Sequence, residues 1–202
     1  MEQSLEVASF EGLNQLLAMI EFSPPPFVLF LTGSSGSGKT FLCEAIAKQL
    51  SKEHASVHHF DRIGVPTEQE MIEKWGSGSA WQEAVTHEWV ERLTKEAAKP
   101  LIVFEGQYHP KYLVDACRKN RLTNYKLAVV SAKEEVWTRR LVELRGQPEL
   151  VSDDMRNWER VLREATLGTG GAVIDTTESD VKANLAEIAE MIISGIQGRF
   201  GV

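Results

Sequence analysis

The sequence predicts an α/β fold in which one doubly wound sheet of five parallel strands is covered by helices on both faces. Three observations carry that expectation. Five short runs, several of them almost unbrokenly apolar, lie at Phe27–Leu31, Ser56–Phe60, Leu101–Phe104, Tyr125–Val130 and Ala172–Ile174, as parallel strands buried on both sides require. Helical patterns separate them, and strand–helix alternation implies right-handed crossovers onto one sheet. The first run leads into a cluster of glycine and serine, then a lysine, then an amphipathic pattern, the strand–loop–helix context of a phosphate-binding loop. With 202 residues and no repeat or linker, the chain reads as one domain, 1–202.

Ahead of the first strand, Leu5, Phe10, Leu13, Leu16, Leu17 and Ile20 predict one or two helical turns. This helical extension over 1–25 ends at Ser23-Pro24-Pro25-Pro26, because proline cannot continue a helix. Gly33-Ser34-Ser35-Gly36-Ser37-Gly38-Lys39-Thr40 then matches G-x-x-x-x-G-K-[ST]. Glycines admit positive φ and remove side chains, so successive N–H groups turn inward onto an anion. The helix predicted over Lys39–Leu50 aims its positive dipole end at the same point. Lys39 is placed to reach the β- and γ-phosphates of a nucleoside triphosphate, and the Thr40 hydroxyl to ligate Mg²⁺.

The second strand runs into His58-His59-Phe60-Asp61-Arg62 and sets Asp61 at its carboxyl edge, where open α/β sheets bind ligands. The two histidines read as structural. Helical segments at Glu68–Lys74 and Trp81–Ala98 follow, one more than a crossover needs, so 66–98 is a candidate flap over a substrate. The Gly/Ser stretch Trp75–Trp81 joins them, and its tryptophans read as core anchors in preference to stacking groups. The third strand ends in Glu105-Gly106-Gln107-Tyr108. Glu105 and Thr40 form a candidate Mg²⁺ set, with Asp61 as candidate general base. Arg62, Gln107 and Tyr108 are the candidates to line an acceptor pocket.

A helix over Pro110–Lys119 leads to the fourth strand. Beyond it, a helix over Lys133–Leu144 carries Arg139 and Arg140, and Arg145 follows before a Gly146-Gln147-Pro148 break. The next helix, Asp153–Leu167, aligns Arg156, Arg160 and Arg163 along one side, with Trp158, Val161, Leu162 and Ala165 on an apolar side. Two readings stand for these arginines. One is a solvated stripe paired with Glu143, Glu149, Glu159 and Glu164. The other is a lid over 139–165 that brings guanidinium groups, Arg140 and Arg145 foremost, onto a migrating phosphoryl and excludes water. A helix over Asp180–Ile193 closes the pattern.

Composition narrows the function. The net charge of −7 and the interleaving of Lys and Arg with Asp and Glu argue against a nucleic-acid partner. The longest apolar run is too short to cross a bilayer, and the acidic start lacks the plan of a secretion signal. Cys43 and Cys117 fall inside helical patterns and read as reduced core thiols of a cytoplasmic protein.

Taken together, the chain after Phe27 resembles the P-loop small-molecule kinases, a superfamily that includes the nucleoside monophosphate, uridine, gluconate and shikimate kinases. The phosphate loop Gly33–Thr40, Asp61 after the second strand, the Glu105-Gly106 pair and the arginines around Arg140 carry the resemblance. Val173–Thr177 resembles the last strand and the loop that lies beside adenine. The resemblance implies strand order 2-3-1-4-5, a small helical lid, and ATP with Mg²⁺. Glu105-Gly106-Gln107-Tyr108-His109-Pro110 departs from the Asp-Gly-Phe-Pro-Arg segment of adenylate kinases, and the gluconate- and shikimate-type substrate signatures are not evident. The expected function is ATP-dependent phosphoryl transfer to a hydroxyl or phosphate of a small molecule, and the chain is compatible with a homodimer. The alternative is a P-loop ATPase that acts as a nucleotide-driven switch on a protein partner.

Overall fold

The computed structural model describes residues 9–95, 98–178 and 180–200. Five parallel strands, β1 (Phe27–Thr32), β2 (Ala55–His59), β3 (Leu101–Glu105), β4 (Tyr125–Ser131) and β5 (Ala172–Asp175), form a sheet of order β2-β3-β1-β4-β5. The helices are α1 (Phe10–Met19), α2 (Lys39–Gln49), α3 (Glu68–Trp75), α4 (Gly78–Lys95), α5 (Pro110–Lys119), α6 (Glu134–Arg139), α7 (Asp153–Gly168) and α8 (Val181–Phe200). Both the class and the strand order are those expected. Leu5 and positions 96 and 97 of the predicted fourth helix lie outside the described residues.

The period of two along a strand explains why β1 is apolar from Phe27 to Leu31. Leu29 and Leu31, with Val103 and Val130, meet α1, α2 and α8 on one face. Val28 and Phe30, with Ile102, Phe104 and Leu127, meet α4 and α5 on the other. A strand with two buried faces has no polar side to show. Edge strand β2 is only half-buried over Ser56–His59, and its sequence is correspondingly mixed.

The segment expected as a flap divides in two. Helix α4 is the crossover itself, burying Trp81, Val85, Trp89, Val90 and Leu93 against the sheet. Helix α3 buries none of its residues. The segment expected as a lid divides likewise. The predicted helix over Lys133–Leu144 stops being α-helical at Arg139 and continues as a π-turn over Arg140–Leu144. The far half of α7 is a second crossover, packing Leu162 and Thr166 onto β4 and β5. Two of its arginines are paired at the surface, as in the solvated reading, though only Glu164 is a partner that reading named: Arg156 pairs with Glu134 and Asp153 at 2.6 and 2.9 Å, and Arg160 with Glu164 at 2.9 Å. No helix among the described residues is long and apolar enough to cross a membrane.

Candidate active site

The phosphate loop leaves β1 at its carboxyl end and enters α2 at Lys39. Gly36, at φ +79°, lies where an added Cβ would stand 2.8 Å from the Trp137 carbonyl oxygen of α6, so the loop and the start of the arginine segment are packed backbone to backbone. Arg140 strengthens that union. Its Nη1 donates to the carbonyls of Gly36 and Ser37, both at 3.3 Å, and to Thr176 Oγ1 at 3.0 Å, while Nη2 donates to the Thr176 carbonyl at 2.7 Å. The Thr176 hydroxyl in turn donates to the Ser37 carbonyl at 2.6 Å. Arg140 was expected to stabilise a migrating phosphoryl. In this structure three backbone carbonyls and the Thr176 hydroxyl engage its Nη1 and Nη2, and it braces the loop against the β5–α8 connection.

Lys39 lies at the meeting of several charges. Burial lowers its pKa from 10.5, Glu105 and then Asp61 oppose that shift, and Arg145 adds to it. Three of the four charged groups selected from sequence around Lys39 therefore act on it through space. Arg145 is exposed, one residue past the π-turn, and borders the same cavity as Lys39 and Thr40. That cavity, of about 530 Å³, is also bordered by Gly36, Gly38, Arg140, Thr176 and Asn184.

Glu105 is placed by strand register. His59 of β2 lies directly opposite Glu105 of β3, and neighbouring positions in a parallel pair project to the same face. His59 Nδ1 meets Glu105 Oε1 at 2.7 Å, and the carboxylate is 8% exposed. The other oxygen, Oε2, is buried with no hydrogen-bond partner, as are the hydroxyls of Ser34 and Ser37 in the phosphate loop. Buried polar atoms are normally satisfied. Three such atoms on and beside this loop are open to a polar ligand. Among the described residues no cluster of three or more His, Cys, Asp or Glu side chains could hold a metal. A hard cation such as Mg²⁺, which takes one or two protein oxygens and completes its shell with phosphate and water, fits Thr40 and Glu105.

Asp61 sits on a 3₁₀ turn, Phe60–Ile63, directly after β2. The turn is anchored from beneath: Phe60 is buried, its carbonyl accepts from Trp89 Nε1 at 3.0 Å, and its ring meets Trp81 edge-on at 6.0 Å. Asp61 remains exposed and lines a second cavity, of about 670 Å³, together with Gln107. Gln107 is held by Gln82, which the sequence reading overlooked. The Gln82 amide donates to the Gln107 carbonyl at 3.0 Å and accepts from His109 N at 3.0 Å.

Two expected pocket residues are elsewhere. Tyr108 is fully buried, stacked on Phe104 at 5.4 Å, with its hydroxyl donating to the Phe104 carbonyl at 3.3 Å. An alternating strand end sends Gln107 outward and Tyr108 into the core, so Tyr108 serves packing. Arg62 is exposed and borders neither cavity, and its charge helps to lower the pKa of His58, after burial. His59, read as structural, is a direct partner of Glu105. His109 at the N-cap of α5, Tyr112 on α5, and Asp154 and Trp158 on α7 also line the second cavity. Nothing in their spacing announces a site, because two crossovers bring them together.

No protein-family model and no curated protein matches the chain. Solved structures do. A shikimate kinase from Acinetobacter baumannii, in complex with shikimate, is 18% identical, covers 85% of this chain and 95% of its own, and superposes with a TM-score of 0.55. A gluconokinase from Sinorhizobium meliloti 1021 is 18% identical over 85% of this chain and 98% of its own, with a TM-score of 0.57. A sugar kinase from Janibacter sp. HTCC2649 is 17% identical over 84% and 95%, with a TM-score of 0.55. The chain has the fold of the P-loop small-molecule kinases.

Proposed function

We propose that this protein is an ATP-dependent kinase that transfers the γ-phosphoryl group of ATP to a small molecule. The observation that carries the reading is a pair of cavities, one bordered by Lys39 and the other by Asp61, two groups that act on each other through space. One is bordered by Lys39, Thr40 and Arg145 and the other by Asp61 and Gln107. A nucleotide-driven switch needs the first cavity and leaves the second without a task. The fold shared with a shikimate kinase, a gluconokinase and a sugar kinase supports phosphoryl transfer over a switch.

In this reading the amides of Gly33–Thr40 and the Lys39 ammonium hold the phosphate tail. Thr40 and Glu105 hold Mg²⁺, which when bound neutralises phosphate charge and polarises the transferred group. His59 fixes the Glu105 carboxylate so that its free oxygen faces the ligand. Asp61 orients the acceptor and takes the proton as the acceptor oxygen bonds to phosphorus and the bond to ADP breaks. Arg145 stabilises charge spread over the phosphoryl oxygens, and Arg140 keeps the loop in shape beneath it.

The test is acceptor-dependent ADP release across a library of nucleosides, sugars, polyols and cofactor precursors. Asp61→Asn should abolish release while calorimetry still detects ATP binding with Mg²⁺. Turnover by Asp61→Asn equal to that of the unaltered protein would remove Asp61 from the mechanism. ATP consumption that needs a protein partner and produces no phosphorylated metabolite would replace the kinase reading with the switch.

A further inference from the structure

The cavity beyond Asp61 is walled by rings drawn from separate elements. Phe60 follows β2, Trp81 comes from α4, His109 caps the N-terminus of α5, Tyr112 lies on α5, and Trp158 comes from α7. They brace one another: the His109 ring lies 5.3 Å from Tyr112 and 6.1 Å from Trp158, and the Tyr112 hydroxyl is 2.5 Å from Ser79 Oγ. Flat, rigid side chains that hold each other in place present faces on which another flat ring stacks.

The charges of the same cavity are one-sided. Asp61 and Asp154 line it, and no lysine or arginine does among the described residues. His109 adds no positive charge. Its Nδ1 accepts from Lys111 N at 3.1 Å, which leaves that nitrogen without a proton, and burial, then Lys111, lower its pKa. Lys111 is exposed on the first turn of α5 and is not a lining residue, and Arg62 is outside as well. A carboxylate or phosphate carried into this space would meet two carboxylates with no cationic side chain among the lining residues to offset them, an unfavourable charge contact.

Taking the kinase reading as given, we propose that the acceptor is a hydroxyl compound with a flat ring and no anionic group, neutral or cationic. Its ring lies against Trp158 and Tyr112, and its hydroxyl meets Asp61. The cavity thus excludes phosphate and carboxylate acceptors, and the transferred group goes to an alcohol oxygen.

Matched probes separate ring from charge: adenosine with AMP, pyridoxine with 4-pyridoxic acid, and the non-planar inositol with glucuronate. Binding is measured by calorimetry on the full chain with Mg²⁺ and a non-hydrolysable ATP analogue, and ADP release is measured in parallel with ATP. At least one uncharged ring compound should bind below about 1 mM, the upper end of ordinary substrate affinities. It should bind about tenfold or more tighter than its anionic twin, the effect of an unfavourable charge contact. Asp154→Lys, at an exposed position, should reverse that preference, and Trp158→Ala should weaken the ring compounds and leave inositol unaffected. Failure of every uncharged ring to bind below about 1 mM, or ADP release driven by AMP or 4-pyridoxic acid, overturns the proposal. Ring binding with the expected charge preference but without ADP release upholds the ligand class and overturns the kinase reading instead.

Discussion

At Lys39 burial and charge pull in opposite directions. Burial lowers the ammonium pKa, and Glu105 and then Asp61 oppose that shift without cancelling it, so the two carboxylates offset part of what burial costs the cation. Lys39→Ala removes a charge-assisted contact of about 1.5–3 kcal/mol and should weaken ATP binding by about tenfold to a hundredfold, read by calorimetry with Mg²⁺. His59 tests a different link. Its 2.7 Å contact orients Glu105, and loss of an outer-shell partner lowers metal affinity by about 10–100-fold. His59→Ala should therefore raise the Mg²⁺ concentration needed for half-maximal ADP release by that range and leave metal-free ATP binding unchanged. An unaltered Mg²⁺ requirement would mean that Glu105 needs no such support.

Among the elements, the loop that leaves β3 is under the tightest steric control. A Cβ on Gly106 would stand 2.2 Å from Phe60 Cβ, too near the backbone of the neighbouring turn for a rotamer change to relieve. Overpacking of this kind costs about 1–3 kcal/mol, and the strain falls on the turn that carries Asp61. Gly106→Ala should lower the denaturant midpoint and reduce acceptor-dependent turnover together. The π-turn at Arg140–Leu144 is the second such element. Insertions of this kind recur at functional sites, and here the turn lies between Arg140, bonded to the phosphate loop, and Arg145, beside Lys39. Arg140→Ala should raise the KM for ATP while leaving acceptor binding intact, because its four bonds hold only the nucleotide side of the site together.

For the molecule as a whole, alkaline stability follows from the core. Burial pushes the thiols of Cys43 and Cys117, one on each face of the sheet, up to about 12 from 9.0, and raises the Tyr108 phenol as well. A raised folded-state pKa contributes stability that is complete below the unfolded value. Between pH 9 and about 12 the unfolded chain gives up these protons and the folded chain keeps them, so stability falls as pH rises. Each thiol contributes a slope of about 1.4 kcal/mol per pH unit. Unfolding in urea should show midpoints that drop steadily above pH 9, and Cys43→Ala with Cys117→Ala should flatten the decline. The same burial should keep both thiols unreactive toward alkylation until the chain unfolds.

Much of the architecture was written locally. Leu29 next to Val28 is legible as a strand buried on both faces because alternate side chains must all find apolar partners, and the loop Gly33–Thr40 is legible because its pattern falls within eight adjacent residues. Asp61, Glu105 and Gln107 were legible as strand ends. Tyr108 lies away from the pocket expected of it, the ties of Arg140 to the loop were not foreseen, His59 was read only as structural and Trp158 only as apolar, and Gln82 was passed over, for one physical reason. What those side chains do depends on a neighbour far along the chain: a carbonyl on the phosphate loop, the aromatic cluster under Phe60, a carboxylate one strand away. By itself the sequence determined the strands, the glycine-rich turn between β1 and α2 and the acids at the sheet edge, which depend on local order. Only the tertiary structure decided which arginine is tied down, which histidine holds the glutamate and what walls the second cavity, because strand register and helix crossovers set those distances.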